Sequence, residues 1–162
     1  MRGFWLAVRS LTWAVLLPGV VAFYVPWRFF GLGDFHWSPE VPALYLGVVL
    51  VASGVALLAV CIWEFARQGR GTLSPADPPK ELVVHGIYRY VRNPMYLAVS
   101  LILIGEHMLT HSWPLLVYWL VWFVIVNVFV IGYEEPTLRR QFGESYERYA
   151  RAVPRWVPKF RT

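Results

Sequence analysis

Residues 85–96 read HGIYRYVRNPMY, a cationic and aromatic stretch that runs directly into an apolar segment beginning at Pro94. Asn93 precedes a proline and is biased toward extended backbone, whereas Pro94 suits the first turn of a helix. The last apolar segment of the chain ends at the pair Glu134–Glu135. The pattern predicts that a polar, glycine-containing turn at the start of one membrane helix faces two carboxylates at the end of the next.

The segments around this stretch are too apolar for an ordinary soluble domain, since 57% of the 162 residues are hydrophobic. Residues 41–63 and 112–133 contain no charged residue and no histidine. A helix needs about 20 such residues to cross about 30 Å of hydrocarbon. We therefore predict an all-α, multi-pass membrane bundle of about four transmembrane helices, at residues 4–27, 42–65, 94–112 and 113–133.

The remaining chain is predicted to complete a single domain over residues 1–162, with a connection at 66–93 and a tail at 134–162. Within the connection, residues 69–80 read GRGTLSPADPPK and predict irregular backbone, which fits either a lid or a spacer. Residues 136–153 carry apolar and aromatic side chains at spacings of three and four, which predicts an amphipathic helix.

The net charge of +5 follows the expected topology. Lys and Arg concentrate in the connection at 66–93 and in the tail, which predicts that both segments and both termini are cytoplasmic. This reading is favoured over nucleic-acid binding, because no aromatic-basic nucleic-acid motif is present. The expected partners are the lipid bilayer and a lipophilic substrate; the sequence does not fix the oligomeric state.

Arg92 and Glu135 are the residues with the clearest chemical potential. Arg92 can bind an anion next to the free backbone N–H groups at the start of the helix that begins at Pro94. Glu134 and Glu135 can hold an amine, ribose hydroxyls or a sulfonium. The alternative is that Arg92 and Glu135 form an interhelical ion pair, and the pattern alone leaves both readings open.

A second polar group lies inside the third apolar segment, at Glu106, His107 and His111. Two histidines four residues apart can bind a metal, but a membrane di-iron enzyme needs several such clusters, so no metal is predicted. Glu106 is costly in lipid and is expected to face the bundle interior, where it either lines a cavity or ties two helices together.

The segments HGIYRYVRNPMY and YEEPTLRRQFGESYERYARAVPRWVP, residues 133–158, closely resemble the membrane methyltransferases that include isoprenylcysteine carboxyl methyltransferase and phospholipid N-methyltransferases. Residues 69–86, GRGTLSPADPPKELVVHG, resemble the preceding connection in bacterial relatives. The resemblance covers residues 64–160, and two motifs at the expected separation make it specific.

The resemblance implies S-adenosylmethionine as the methyl donor, bound near the cytoplasmic face of a bacterial inner-membrane protein, with the lipophilic substrate arriving through the bilayer. It implies Arg92 and Glu135 as the catalytic candidates. The residues it implies for cofactor binding are His85, Gly86, Tyr88, Arg92, Pro94, Tyr96, Glu134, Glu135, Tyr146 and Tyr149.

One position departs from the eukaryotic pattern. Those enzymes have R-H-P where this chain has Arg92-Asn93-Pro94, so position 93 offers no general base. The acceptor therefore stays open between an isoprenylcysteine-like carboxylate, a lipid amine and another small hydrophobic molecule. The alternatives are an NADPH-dependent sterol or enone reductase, which has a similar R-x-P-x-Y segment in a longer chain, and a non-enzymatic protein that binds lipid or a partner.

Overall fold

The computed structural model describes residues 16–30, 42–68, 82 and 84–159, and all regular secondary structure in these ranges is helical. The predicted all-α class is confirmed for them. The elements are α1 (Leu16–Phe29), α2 (Pro42–Gln68), a 3-10 turn (Gly86–Arg89), α3 (Pro94–Thr110), α4 (Trp113–Phe129), α5 (Glu135–Phe142) and α6 (Glu144–Ala152). The predictions for residues 4–15 and for the connection at 69–80 lie outside the described residues.

Two helices are long and apolar enough to cross a membrane. One is the 23-residue stretch Pro42–Glu64 of α2, and the other is the 30-residue helix Trp113–Phe142, in which α4 continues into α5. The helices α1 and α3 are apolar but shorter. Much of the surface of α4 is aliphatic, with Val121, Val124 and Val128 each more than half exposed. Such a surface suits contact with lipid rather than water.

The predicted end of the fourth helix at residue 133 is wrong. A π-helical turn at Val130–Glu134 carries α4 directly into α5, and Pro136 lies in the first turn of α5. A proline has no N–H and clashes with the carbonyl four residues earlier, and the wider turn accommodates that mismatch. The same arrangement occurs in α1, where a π turn at Val20–Tyr24 precedes Pro26.

The predicted single tail helix over residues 136–153 is broken in the middle. Its two parts, α5 and α6, meet at Gly143, which has φ 52° and ψ −128°. A side chain would strain this backbone conformation, so the glycine fixes the position of the bend. The bend turns α6 back toward the chain that precedes α3, where the Tyr149 hydroxyl donates to the Tyr88 carbonyl, and Tyr146 on α6 is nearly fully buried.

The centre of the fold is the close contact between α2 and α3. A methyl group on Gly105 would lie 2.8 Å from the Gly47 carbonyl oxygen, and one on Gly54 would lie 2.8 Å from the Ala98 carbonyl oxygen. Small residues let helix backbones approach this closely in an apolar environment. The contact fixes where α3 begins relative to the end of α2, and that junction carries the polar residues.

Candidate active site

A tight turn before α3 brings the end of α2 into the site. Gly86 has φ +57°, and a methyl group on it would lie 2.6 Å from the carboxyl carbon of Glu64. The 3-10 turn that follows is closed by a hydrogen bond from the Tyr88 N–H to the His85 carbonyl. Glu64 therefore belongs to the site, although the sequence analysis did not identify it.

Glu135 is the centre of a cluster of arginines. Arg92 Nη1 donates to Glu135 Oε1 at 2.9 Å, and Arg155 donates through Nε at 2.7 Å and Nη2 at 3.0 Å. Arg139 lies 3.9 Å away. The Glu135 side chain is only 5% exposed, so these partners compensate a carboxylate held away from water. The hydrogen bond to Glu135 also raises the pKa of Arg155 above its ordinary value.

Glu134 has a different environment from its neighbour. Its Oε2 accepts a hydrogen bond from the Tyr96 hydroxyl at 3.1 Å. No arginine or lysine among the described residues pairs with it. Within the part of the chain that the structure describes, Glu135 is thus neutralised by arginines, whereas Glu134 accepts a hydrogen bond from a tyrosine hydroxyl alone.

Three tyrosines complete the polar region. The Tyr149 hydroxyl donates to the Tyr88 carbonyl at 2.7 Å, and its ring meets the Tyr146 ring edge-on at 6.3 Å. Burial raises the pKa of Tyr88 well above its ordinary value, and burial likewise raises the pKa values of Tyr146 and Tyr149. All three are neutral hydroxyl groups near pH 7.

The segment after α6 closes the site from the C-terminal side. The Arg92 N–H donates to the Pro154 carbonyl at 2.9 Å, and the Lys159 N–H donates to the Tyr90 carbonyl at 3.0 Å. Asn93 Nδ2 donates to the Arg155 carbonyl at 3.3 Å. We call residues 154–159 the C-terminal strap, because these bonds hold it along the chain that precedes α3.

The structure brings most of the predicted site residues together. Arg92 and Glu135 meet as the ion pair that the alternative reading proposed, and Arg92 Nη1 also reaches the Tyr146 hydroxyl at 3.3 Å. Pro94 is buried at the start of α3 and offers no polar side chain. The His85 side chain is exposed at the edge of the turn.

Two further residues escaped the sequence analysis, Arg155 and Trp156. The indole Nε1 of Trp156 donates to Asn127 Oδ1 at 3.0 Å. Asn127 is the one amide side chain in the apolar run of α4, and that isolated polar residue was the available signal. Arg155 had no comparable signal, because its partner lies 20 residues earlier.

The second polar group is separate from this site. His107 Nδ1 lies 3.0 Å from the Ser112 carbonyl, and His111 ends α3 with φ 52°. No group of three or more potential metal ligands occurs within the described ranges. Glu106 is 2% exposed, and its Oε2 has no hydrogen-bond partner there.

Comparison with known proteins gives one family and a small set of relatives. The family model described as "Phospholipid methyltransferase" matches residues 42–145. Proteins named "Probable protein-S-isoprenylcysteine O-methyltransferase" from Oryza sativa subspecies indica and japonica are 28% identical over 116 residues, which are 70% of this chain and 60% of theirs. The "Protein-S-isoprenylcysteine O-methyltransferase" of Schizosaccharomyces pombe is 37% identical over 79 residues, 48% of this chain and 33% of the relative. The chain thus spans about 60% of the length of the rice relatives.

Proposed function

The chain belongs to the phospholipid methyltransferase family, and on that basis we propose that it transfers a methyl group from S-adenosylmethionine to a lipophilic acceptor at the cytoplasmic face of a membrane. The observation that carries the proposal is the contrast between Glu134 and Glu135. Glu135 is neutralised by arginines, whereas the one hydrogen-bond partner of Glu134 among the described residues is the Tyr96 hydroxyl.

The polar groups of the site fit the amino-acid end of the proposed cofactor. That end carries one carboxylate and one ammonium, close to the sulfonium. Arg92 Nε is buried and has no hydrogen-bond partner among the described residues, which leaves one donor for a carboxylate. Glu134, which lacks a cationic partner there, can offset the positive charge. Tyr88 and Tyr96 add aromatic surface, which attracts cations.

We propose distinct roles for the residues of the cluster. Arg92 and Glu134 contact the cofactor, and Glu135 is a positioning residue that holds Arg92 together with Arg155. When bound, S-adenosylmethionine would supply a methyl group that an acceptor could attack in line with the C–S bond, and the neutral thioether S-adenosylhomocysteine would be the leaving group. The task of the protein is then mainly to align the acceptor and to exclude water.

The nature of the acceptor decides whether a base is required. A carboxylate acceptor is ionised near neutral pH, whereas an amine has to lose a proton. Asn93 cannot take that proton, and its side chain bonds the C-terminal strap. Glu134 is the candidate for that role. The relatives are named for an isoprenylcysteine acceptor and the family for phospholipids, so both acceptors belong to the proposal.

We also propose a four-span topology in a bacterial inner membrane with both termini in the cytoplasm. The two long apolar helices support a membrane location, and the Lys and Arg distribution supports the orientation. The reductase and the non-enzymatic binding protein are less well supported, because the matched family and relatives bear methyltransferase names.

The direct test is transfer of a radiolabelled methyl group from S-adenosylmethionine to N-acetyl-S-farnesylcysteine and, separately, to phosphatidylethanolamine by the purified protein in detergent. Alkaline hydrolysis releases volatile methanol from a methyl ester but not from an N-methyl group, so it identifies the acceptor atom. We expect Glu134→Gln to abolish transfer and Glu144→Gln, whose side chain is 93% exposed, to retain it. Equal transfer by both variants would remove Glu134 from the proposed site.

A further inference from the structure

Asn127 and Trp156 connect the apolar body of α4 to the tail. Trp156 Nε1 donates to Asn127 Oδ1 at 3.0 Å, and Asn127 Nδ2 donates to the Phe123 carbonyl at 2.9 Å. An amide without partners in apolar surroundings is costly. Among the described residues, the indole is the one partner of the Asn127 oxygen, so both ends of the amide are satisfied while the indole is in place.

The C-terminal strap consequently contacts α4 at a point distant from the polar cluster. Asn127 lies seven residues before Glu134, which is about 10 Å along a helix at about 1.5 Å per residue. The strap is held at both ends by backbone hydrogen bonds to Arg92 and Tyr90. Trp156, between these two bonds, therefore lies against a part of α4 that the sequence places among apolar residues.

Trp156 completes a continuous set of aromatic rings next to the polar cluster. Its ring centroid lies 5.2 Å from that of Phe123 and 6.4 Å from that of Tyr96, and Tyr96 lies 6.4 Å from Trp122. We call these four residues the aromatic wall. All four are half-buried, so the wall keeps an accessible surface. It begins at the Tyr96 hydroxyl bonded to Glu134 and extends along α4 to Asn127.

We propose that Trp156 is a specificity-determining residue, whose indole contacts the hydrocarbon chain of the acceptor next to the atom that receives the methyl group. The inference rests on the proposed function. An acceptor whose reactive group reaches Tyr96 and Glu134 has its chain beside the wall, and large rings offer extensive apolar contact at a fixed position. Asn127 sets that position by anchoring the indole.

The test uses acceptors that share one reactive group and differ only in chain length: the N-acetyl-S-geranyl, S-farnesyl and S-geranylgeranyl cysteines. A second set, phosphatidylethanolamines of differing acyl length, serves if amines prove to be the acceptors. We expect Trp156→Ala to raise the acceptor KM about tenfold, the factor for one lost aromatic contact, and to weaken chain-length discrimination. The Kd for S-adenosylmethionine is expected to stay within about twofold, as suits a contact made with the acceptor alone.

Matched variants separate specificity from folding. Trp156→Phe keeps a ring and is expected to recover most of the discrimination, whereas Asn127→Leu releases the indole and is expected to resemble Trp156→Ala. Trp113→Ala removes a tryptophan that is 71% exposed at the other end of α4, and the acceptor KM is expected to stay at the wild-type value.

The outcomes distinguish the inference from the proposed function. Wild-type protein that binds S-adenosylmethionine but methylates neither acceptor set defeats the proposed function and the inference with it. Wild-type activity with unchanged acceptor KM and chain preference in Trp156→Ala and Asn127→Leu defeats the inference alone. A parallel loss of cofactor affinity, acceptor affinity and thermal stability in both variants would make the strap a purely structural element and would also overturn it.

Discussion

Glu135 on α5 and Arg155 in the C-terminal strap are joined by two hydrogen bonds, from Nε at 2.7 Å and from Nη2 at 3.0 Å. Arg92, next to the start of α3, shares the same carboxylate. One buried side chain thereby ties together the helix that carries Glu134, the segment that carries Arg92 and the tail that carries Trp156. In the proposed function, Glu135 therefore has a positioning role, and direct contact with the cofactor is proposed for Arg92 and Glu134.

The first prediction concerns Glu135→Gln. Removing one partner of a buried ion pair costs about 3–5 kcal/mol, because the remaining charge stays buried without compensation. We expect a loss of about 3 kcal/mol in the free energy of unfolding, measured by denaturation in detergent. The control is Glu147→Gln, which removes an exposed pair with Arg139 and should cost less than about 1 kcal/mol. Equal stability of the two variants would contradict the central place of Glu135.

The second prediction concerns Gly86→Ala. The φ of +57° disfavours alanine by about 1–2 kcal/mol, and the new methyl group would also displace the Glu64 carboxyl group. We expect a loss of stability together with weaker binding of S-adenosylmethionine in calorimetry. Gly143→Ala is the matched control, because it has positive φ but no neighbour within 4 Å of the added carbon. That variant should lose stability without losing cofactor affinity. A loss of cofactor affinity in Gly143→Ala but not in Gly86→Ala would show that Gly86 lies outside the binding site.

The third prediction concerns the contact between α2 and α3. Gly105→Ala would bring a methyl group to 2.8 Å from the Gly47 carbonyl oxygen and 2.9 Å from the Val51 backbone nitrogen. Because backbone cannot move aside as a side chain does, we expect a destabilisation of about 1–3 kcal/mol, seen as a lower Tm. Gly132→Ala meets nothing within 4 Å and should be neutral or slightly stabilising. A Tm equal to wild type for Gly105→Ala would show that the helices are farther apart than described.

The fourth prediction concerns the hydroxyl group of Tyr96. Tyr96→Phe removes the hydrogen bond to Glu134, worth about 1 kcal/mol, so the carboxylate is less well positioned. We expect about fivefold weaker binding of S-adenosylmethionine by calorimetry. The control is Tyr118→Phe. It removes a comparable hydrogen bond, from the Tyr118 hydroxyl to the Val21 carbonyl at 3.1 Å, which joins α4 to α1 and involves no residue of the site. Equal cofactor affinity in the two variants would exclude Tyr96 from binding.

The sequence predicted the helices well where composition decides the outcome. The runs at 42–65 and 94–112 correspond to Pro42–Gln68 and Pro94–Thr110, because their apolar residues end at clear breaks. The junction after residue 133 was misplaced. Glu134 and Pro136 resemble a helix end by composition, but the π turn lets the helix continue through them. Conversely, residues 136–153 look continuous by periodicity, yet Gly143 breaks them.

For the candidate site, local motifs singled out Arg92, Tyr96 and the two glutamates. The structure shows that these side chains contact one another, and their functional roles stay predictions. The residues that were missed depend on contacts between distant segments. Glu64 is identified by the space beside Gly86, and Trp156 by its bond to Asn127, 29 residues earlier. Sequence patterns report the period of one element, whereas these contacts depend on the packing of several elements.

The most direct measurement of the central claim is calorimetric titration of the detergent-purified protein with S-adenosylmethionine and, separately, with NADPH. We predict saturable binding of S-adenosylmethionine alone, lost in Glu134→Gln and retained in Glu144→Gln. Binding of NADPH alone, or of neither compound by protein that unfolds cooperatively, would contradict the account.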